Sequence, residues 1–203
     1  MGKSGRFGKY GEKKRIDRLR TTRTAHASVL RKKGRTMSEA VHSKEIPSRK
    51  DAIVIRPAEA SDADFIRILS QKAFQRYGPY EDLLPGWFLS GISVTLIAFM
   101  GKRTAGYAML ERIQGKATSP RVSELLAIAV EPSVRRHGVG DRLMRKIIKK
   151  SKELLVETLI LHTAVDNLPS QAFFRKHGFS PSGVEKEFYP EGQSALTMRK
   201  DLV

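Results

Sequence analysis

The stretch that most constrains this chain runs over residues 125–150 and reads LLAIAVEPSVRRHGVGDRLMRKIIKK. Its first part continues RVSELLAIAVEP, a long apolar segment of strand character that Pro132 must end, because proline has no N–H to give to a ladder. Beyond the glycines, Leu143, Met144, Ile147, Ile148 and Leu154 or Leu155 recur at helical spacing, with lysine and arginine on the opposite face. The next run, ETLILHTAV, is again strand-like. A strand, a glycine turn, an amphipathic helix and a strand make a βαβ unit, so the chain must hold a sheet with at least one crossover and a helix on its face.

The flanking segments extend that unit. AIVIRPA alternates like a strand, and SDADFIRILSQKAF reads as a helix with Ser61 as N-cap and Asp64 at the capping-box position. YGPYEDLLPGWFLSGIS is broken by Pro79, Pro85 and three glycines, which predicts short helical turns and loops. VTLIAFMGK and TAGYAMLERI form a hairpin turning near Gly101, Lys102 and Arg103. LPSQAFFRKHGF is a helix with Pro169 in its first turn and Gly178 at its end, and two strands close the chain near residues 183–188 and 194–200. The predicted order is β-α-α-β-β-β-α-β-α-β-β, an α/β fold with a mixed sheet of six or seven strands and about four helices.

Arg135, Arg136 and His137, in the glycine turn, admit two readings: part of a basic surface, or the rim of an anion site. The formal charge of +17 favours the first until it is divided. Residues 1–50 hold 16 Lys and Arg against Glu12, Asp17, Glu39 and Glu45, so most of the excess lies there and the rest of the chain is only mildly basic. That quarter has few large apolar residues; Ile16, Leu19, Val29 and Leu30 cannot build a core. It reads as a basic arm, residues 1–50, ahead of a domain over residues 51–203. A polyanion such as RNA is one partner for it; a solubilising tail, a start upstream of the true one and an organellar presequence are the alternatives. The chain has no cysteine, which excludes disulfides and thiolate chemistry and suggests a reducing compartment, most simply the cytoplasm. No apolar run reaches the roughly 20 residues of a membrane span, and Arg6 stands where a myristoylation motif after Gly2 needs Ser or Thr.

A helix N-terminus has free N–H groups and a partial positive charge, and glycines let an anion approach the backbone. Arg135 and Arg136 add charge-assisted donors to that turn. In this position Arg135-x-x-Gly138-x-Gly140 resembles the pyrophosphate loop of the GNAT superfamily, the GCN5-related N-acetyltransferases that use acetyl-CoA. NLPSQAFFRKHGF resembles that family's Asn-to-Gly-Phe helix, and FYPEGQSALTMRKDL resembles the tail of the subgroup that acetylates protein N-termini, ribosomal-protein acetyltransferases included. The likeness covers about residues 53–203 and implies the acyl-CoA N-acyltransferase fold. It also implies acetyl-CoA as cosubstrate, held by Arg135, Arg136, His137, Gly138, Val139 and Gly140 at the pyrophosphate. The main chain of Ile128, Ala129 and Val130 would bind the pantetheine arm, with Asn167 and Phe174 also at the cofactor. Asn167 has a second reading as a helix cap. No metal is implied.

The reaction so implied is attack of a neutral amine on a thioester. Glu124, early in the strand that leads to the loop, and His162, five residues before Asn167, are the candidate bases; a strand-end acid and a half-buried packing histidine are the plainer readings. Many relatives carry a tyrosine seven residues after the Asn as proton donor to the leaving thiolate. This chain has Phe174 there, so Tyr189 becomes the candidate acid, unless the thiolate leaves unaided. The leading expectation is a protein N-terminal acetyltransferase docked through its arm to a polyanion such as the ribosome. The alternatives are acetylation of a small amine, and a nucleic-acid-binding protein with a degenerate acyl-CoA-binding domain.

Overall fold

The computed structural model describes residues 52–112 and 121–202. The basic stretch 1–50 and its boundary with the domain lie outside the described residues. The elements are β1 (Ile53–Pro57), α1 (Ala63–Phe74), α2 (Tyr80–Leu89), β2 (Ser93–Met100), β3 (Arg103–Glu111), β4 (Val122–Val130), α3 (Val139–Glu153), β5 (Thr158–Ala164), α4 (Leu168–Lys176), β6 (Ser180–Glu185) and β7 (Ala195–Asp201). Their order is the predicted one. The seven strands lie in one sheet in the order β1-β2-β3-β4-β5-β7-β6. β4 and β5 pair in parallel, as a crossover through α3 requires, and the other neighbours are antiparallel.

Three local expectations are corrected. The cap of α1 does not use Ser61 and Asp64: a 3₁₀ turn over Ala60–Asp62 precedes the helix, and Glu59 and Asp62 form the capping box there. Asp62 accepts from the Glu59 N–H at 2.7 Å and takes both arms of the Arg56 guanidinium, at 2.7 and 3.0 Å. Second, residues 80–89 form one continuous helix with Pro85 inside it. The lost N–H is tolerated because Leu84 and Trp87 bury that helix against the sheet. Third, β6 begins at Ser180 and includes Pro181, which an edge strand accepts.

The sheet separates two apolar clusters. On one face Val139, Leu143, Met144 and Ile147 of α3 pack with Phe174, Phe179 and the sheet residues Leu110, Leu125, Leu159 and Leu161. On the other, Ile66 and Leu69 of α1 and Leu84 and Trp87 of α2 pack on Ile97, Tyr107, Met109, Ala127 and Ala129. The buried Tyr107 hydroxyl bonds Ser70 at 2.7 Å, which fastens α1 to the centre of β3.

Along β4 the alternation of faces breaks once. Leu125 belongs to the α3 cluster, whereas Leu126 and Ala127 both belong to the α1–α2 cluster, before Ile128 returns to the first. The ladder with β3 shifts at the same place, since Leu110 pairs Leu125 while Met109 pairs Ala127. Leu126 is therefore the extra residue of a β-bulge, which sharpens the local twist of β4. The pairing of β4 with β5 stops at that point: its last rung is Leu125 with Leu161. Beyond it, β4 stays with β3 and β5 with β7, and the two parallel strands part.

β3 and β4 approach closely where Gly106 faces Val130. A Cβ on Gly106 would stand 2.5 Å from the Ala129 carbonyl oxygen and 3.2 Å from the Val130 Cα. Gly106→Ala is expected to destabilise the domain by about 1–3 kcal/mol, as overpacked sites do. Urea unfolding reads this directly, and an unchanged midpoint would mean that the strands can separate there at no cost.

Candidate active site

The glycine turn starts from the end of β4. A 3₁₀ turn over Pro132–Val134 reverses the chain, Arg136 takes a left-handed φ of 66°, and Gly138, at φ 86°, leads into α3. Gly138 has no side chain with which to cap the helix, so the first-turn N–H groups of α3 are left for another acceptor. The Arg135 guanidinium folds back to donate to the Val130 carbonyl at 3.2 Å, and the His137 Nδ1–H donates to the Arg135 carbonyl at 2.8 Å. Arg136 is exposed and has no hydrogen bond or ion pair among the described residues. Asp141, in the first turn of the helix, is neutralised from α4: Lys176 reaches it at 3.0 and 3.1 Å and His177 Nε2 at 2.8 Å. Burial opposes its charge, but these two partners outweigh burial and hold its carboxyl below the usual range. The turn thus presents cations and free N–H groups, with Asp141 cancelled from α4 and Glu131, ahead of it, paired with Lys72 of α1 at 2.9 Å.

Gly140 faces Val130 and the ring of Phe173, which a Cβ there would meet at 3.7 and 3.4 Å. The aromatic side chain beside the glycine turn is thus Phe173. Phe174 lies in the α3 cluster, edge-on to Phe173 and Phe179. Asn167 caps α4, its Oδ1 accepting the Ser170 N–H at 3.2 Å, and its side chain also bonds Tyr77. Ile128, Ala129 and Val130 pair with Ala108, Tyr107 and Gly106, and their other edge has no ladder partner on β5. That edge leads from the glycine turn back to Glu124.

Leu125, Leu159 and Leu161 point into the α3 cluster, so Glu124, Ile160 and His162 turn to the opposite face. There the His162 Nδ1 bonds Glu124 at 3.0 Å and its Nε2 bonds Glu185 at 3.0 Å. A neutral imidazole has one N–H, whereas two carboxylates at the two nitrogens call for two, so the ring is an imidazolium. Burial disfavours that charge, but Glu124 and Glu185 more than compensate and push the His162 pKa up to about 9. Glu185 is held below its ordinary value, by His162 above all, and Thr197 Oγ1 donates to the same oxygen at 3.1 Å. Sequence reasoning reached Glu124 and His162 but missed Glu185; it has no motif and meets His162 only through the register of β6 and β7.

An aromatic wall continues from this cluster. Phe188 stacks on His162 at 4.4 Å and meets Tyr189 at 5.0 Å, while Tyr189 packs on Tyr77 at 4.8 Å and on Tyr80 at 6.4 Å. Burial first, then the neighbouring phenols of Tyr80 and Tyr77 and the carboxylates of Glu124 and Asp166, push the Tyr189 phenol well above its ordinary pKa, so it stays protonated at neutrality. The loop before β7 is clamped to the chain between α1 and α2: Gln193 donates to the Arg76 carbonyl at 2.7 Å, and Pro190 packs against Gly78. Arg76 in turn pairs with Asp166. Among the described residues no cluster of His, Asp or Glu is arranged to hold a metal ion, and no helix is long and apolar enough to cross a membrane.

Comparison with known proteins places these features in a family. Residues 62–179 match the model of the Acetyltransferase (GNAT) family. A Bacillus subtilis protein, by its name a candidate ribosomal-protein alanine N-acetyltransferase, is 32% identical over 77 residues, 37% of this chain and 51% of that protein. The chain thus spans about half the length of that relative. An N-alpha-acetyltransferase of Sulfurisphaera tokodaii is 25% identical over 157 residues, 73% of this chain and 92% of that protein. Among solved structures, a ribosomal-protein-alanine N-acetyltransferase from Brucella melitensis superposes with a TM-score of 0.62 at 23% identity, over 73% of this chain and 99% of that one. The strand-turn-helix that frames the uncapped N-terminus of α3 lies wholly inside the matched segment, and this chain belongs to the GNAT acetyltransferase family.

Proposed function

We propose that this protein transfers an acetyl group from acetyl-CoA to the α-amine of a protein N-terminus. One observation carries the reading: Glu124 stands at the last paired rungs of β4 and β5, at the start of a free strand edge that runs to the cationic glycine turn. A pyrophosphate fits that turn, where N–H groups are uncapped and Arg136 is unpaired among the described residues. The unpaired edge of β4 offers main-chain donors and acceptors to the amides of the pantetheine arm.

The acceptor follows from the base. His162 has both nitrogens engaged, so a carboxylate, Glu124, takes the amine's proton, directly or through a water. A carboxylate is a weak base, and magnitudes then favour one amine over another. An α-amine with pKa near 8 is about one-tenth neutral at pH 7, whereas a lysine is neutral roughly once in a few thousand. In the reaction the amine nitrogen bonds the thioester carbonyl carbon, the carbon–sulfur bond breaks, and the amine's proton passes to Glu124. The departing thiolate has a pKa near 8.5 and leaves readily without a donor. Tyr189 stays the candidate to return a proton to it, and burial, by raising its pKa, makes it the weaker acid for that step. The names of the relatives point the same way. Residues 1–50, with their 16 Lys and Arg, would hold the enzyme on a polyanion such as ribosomal RNA.

Three outcomes check this. Arg135→Ala with Arg136→Ala should weaken acetyl-CoA binding by about tenfold or more, seen as a smaller ligand-induced rise in Tm; an equal rise would dismiss the pyrophosphate assignment. Glu124→Gln should lower kcat by roughly a hundred- to ten-thousandfold with little change in acetyl-CoA affinity. A peptide with a free N-terminus should be acetylated with a kcat/KM at least about tenfold above that of the same peptide blocked at its N-terminus and carrying an internal lysine. Better turnover of a polyamine or free amino acid would replace the protein acceptor with a small one.

A further inference from the structure

Of the groups gathered around the cleft, Glu185 has no role in the scheme above. It comes from the edge strand β6, yet it meets the buried ring of His162 at 3.0 Å, and its carboxylate is fixed by the Thr197 hydroxyl at 3.1 Å on the same oxygen. A surface carboxylate gains little from an exposed partner, so a side chain held twice and aimed at a buried imidazole is built for that ring. The arrangement spans three strands: Glu124 on β4, His162 on β5 and Glu185 on β6. It stands where β4 and β5 lose each other as neighbours.

We propose that Glu185 is a positioning residue for acetyl transfer: by accepting the Nε2–H of His162 it keeps the ring doubly protonated, and the Nδ1–H then fixes the Glu124 carboxylate that receives the acceptor's proton. With Glu185 in place His162 has no lone pair with which to compete for that proton. Without it, the ring gives up its Nε2 proton more easily, and Glu124 loses a charged partner. The groups facing the ring are Glu124 from β4, Glu185 from β6, the uncharged Thr197 of β7 behind Glu185, and the ring of Phe188 stacked at 4.4 Å, with the neutral Tyr189 phenol beyond it. The proposal rests on the acetyl-transfer reading for its consequence, but not for its geometry.

The test pairs a titration with a rate profile. The His162 ring, followed by NMR in the intact protein, should titrate near pH 9, and in Glu185→Gln its midpoint should fall by about one unit or more. The alkaline limb of kcat on a free N-terminal peptide should fall by the same amount, with KM for acetyl-CoA unchanged. Glu185→Asp, which keeps the charge on a shorter stem, should restore most of both shifts. The stability profile has a definite sign: a histidine whose folded pKa is raised gives its full contribution below about pH 6.5 and loses it as pH rises through about 9. Tm should therefore decline over that interval in the wild type and less in Glu185→Gln. A His162 midpoint at or below 6.5 in the wild type overturns the proposal, as does a Glu185→Gln protein whose midpoint and alkaline limb stay put. If the titration shifts as expected but no amine is acetylated, the acetyl-transfer reading fails while the hold of Glu185 on His162 stands.

Discussion

The extra residue at Leu126 is the constraint on which the site depends. Two parallel strands would ordinarily continue side by side, each satisfying the other's main chain. Here Leu126 and Ala127 both face α1 and α2, the strand gains twist, and the pairing of β4 with β5 ends one residue earlier, at Leu125 and Leu161. Separation leaves a strand edge in the middle of a sheet, which is costly unless something pairs with it. A ligand with amides along its length can do so. Gly106 reinforces the geometry from the other side, because its missing Cβ lets β3 lie close under the carbonyl of Ala129. Strand β4 thus lies close to β3 at Val130, five residues beyond its last rung with β5.

That one divergence also separates two electrostatic tasks. At the far end of β4 the glycine turn is positive: uncapped N–H groups, Arg136 exposed, and Asp141 neutralised by Lys176 and His177. At the near end two carboxylates enclose one imidazolium, leaving a net negative charge. The six residue steps from Glu124 to Val130 put these ends roughly 20 Å apart along the strand, so neither field cancels the other at physiological ionic strength. In the proposed acetyl transfer an anionic donor and a cationic or neutral acceptor would be drawn to opposite ends of the same edge. An imidazolium between the two carboxylates keeps them from repelling one another.

Most of the fold was legible because it is local. The period of 3.6 in residues 139–153 and the apolar run before it gave α3 and β4, and the hairpin at Gly101 needed only its turn residues. The exceptions have physical causes. Pro85 reads as a helix breaker, yet tertiary burial of Leu84 and Trp87 outweighs one missing hydrogen bond. The cap of α1 slid by two residues because Arg56, from β1, anchors Asp62 and draws the turn back to Glu59. In FFRKHGF adjacent aromatics lie 100° apart on a helix, and only packing decides which one enters the core; Phe174 does, and Phe173 faces Gly140. The bulge and Glu185 left no trace in the sequence. A bulge shows only in the register of two strands, and Glu185 lies 23 residues from His162 on a strand whose alternation is nearly all exposed.

The aromatic wall follows from the same logic of closure. Tyr77, Tyr80 and Tyr189 come from the segments around α2 and before β7, and they meet because Gly78 admits Pro190 and because Gln193 bonds the Arg76 carbonyl. This wall reaches the Glu124, His162 and Glu185 cluster through Phe188, whose ring covers His162. An aromatic lid over an imidazolium excludes water, which strengthens the bonds from His162 to both carboxylates and raises the cost of losing either. These rings line the wall with apolar faces, edged by the hydroxyls of Tyr77, Tyr80 and Tyr189. Under the proposed transfer to a protein N-terminus, selection at such a cleft would fall on the charge state of the amine and the bulk of its neighbouring side chain, rather than on a sequence read residue by residue.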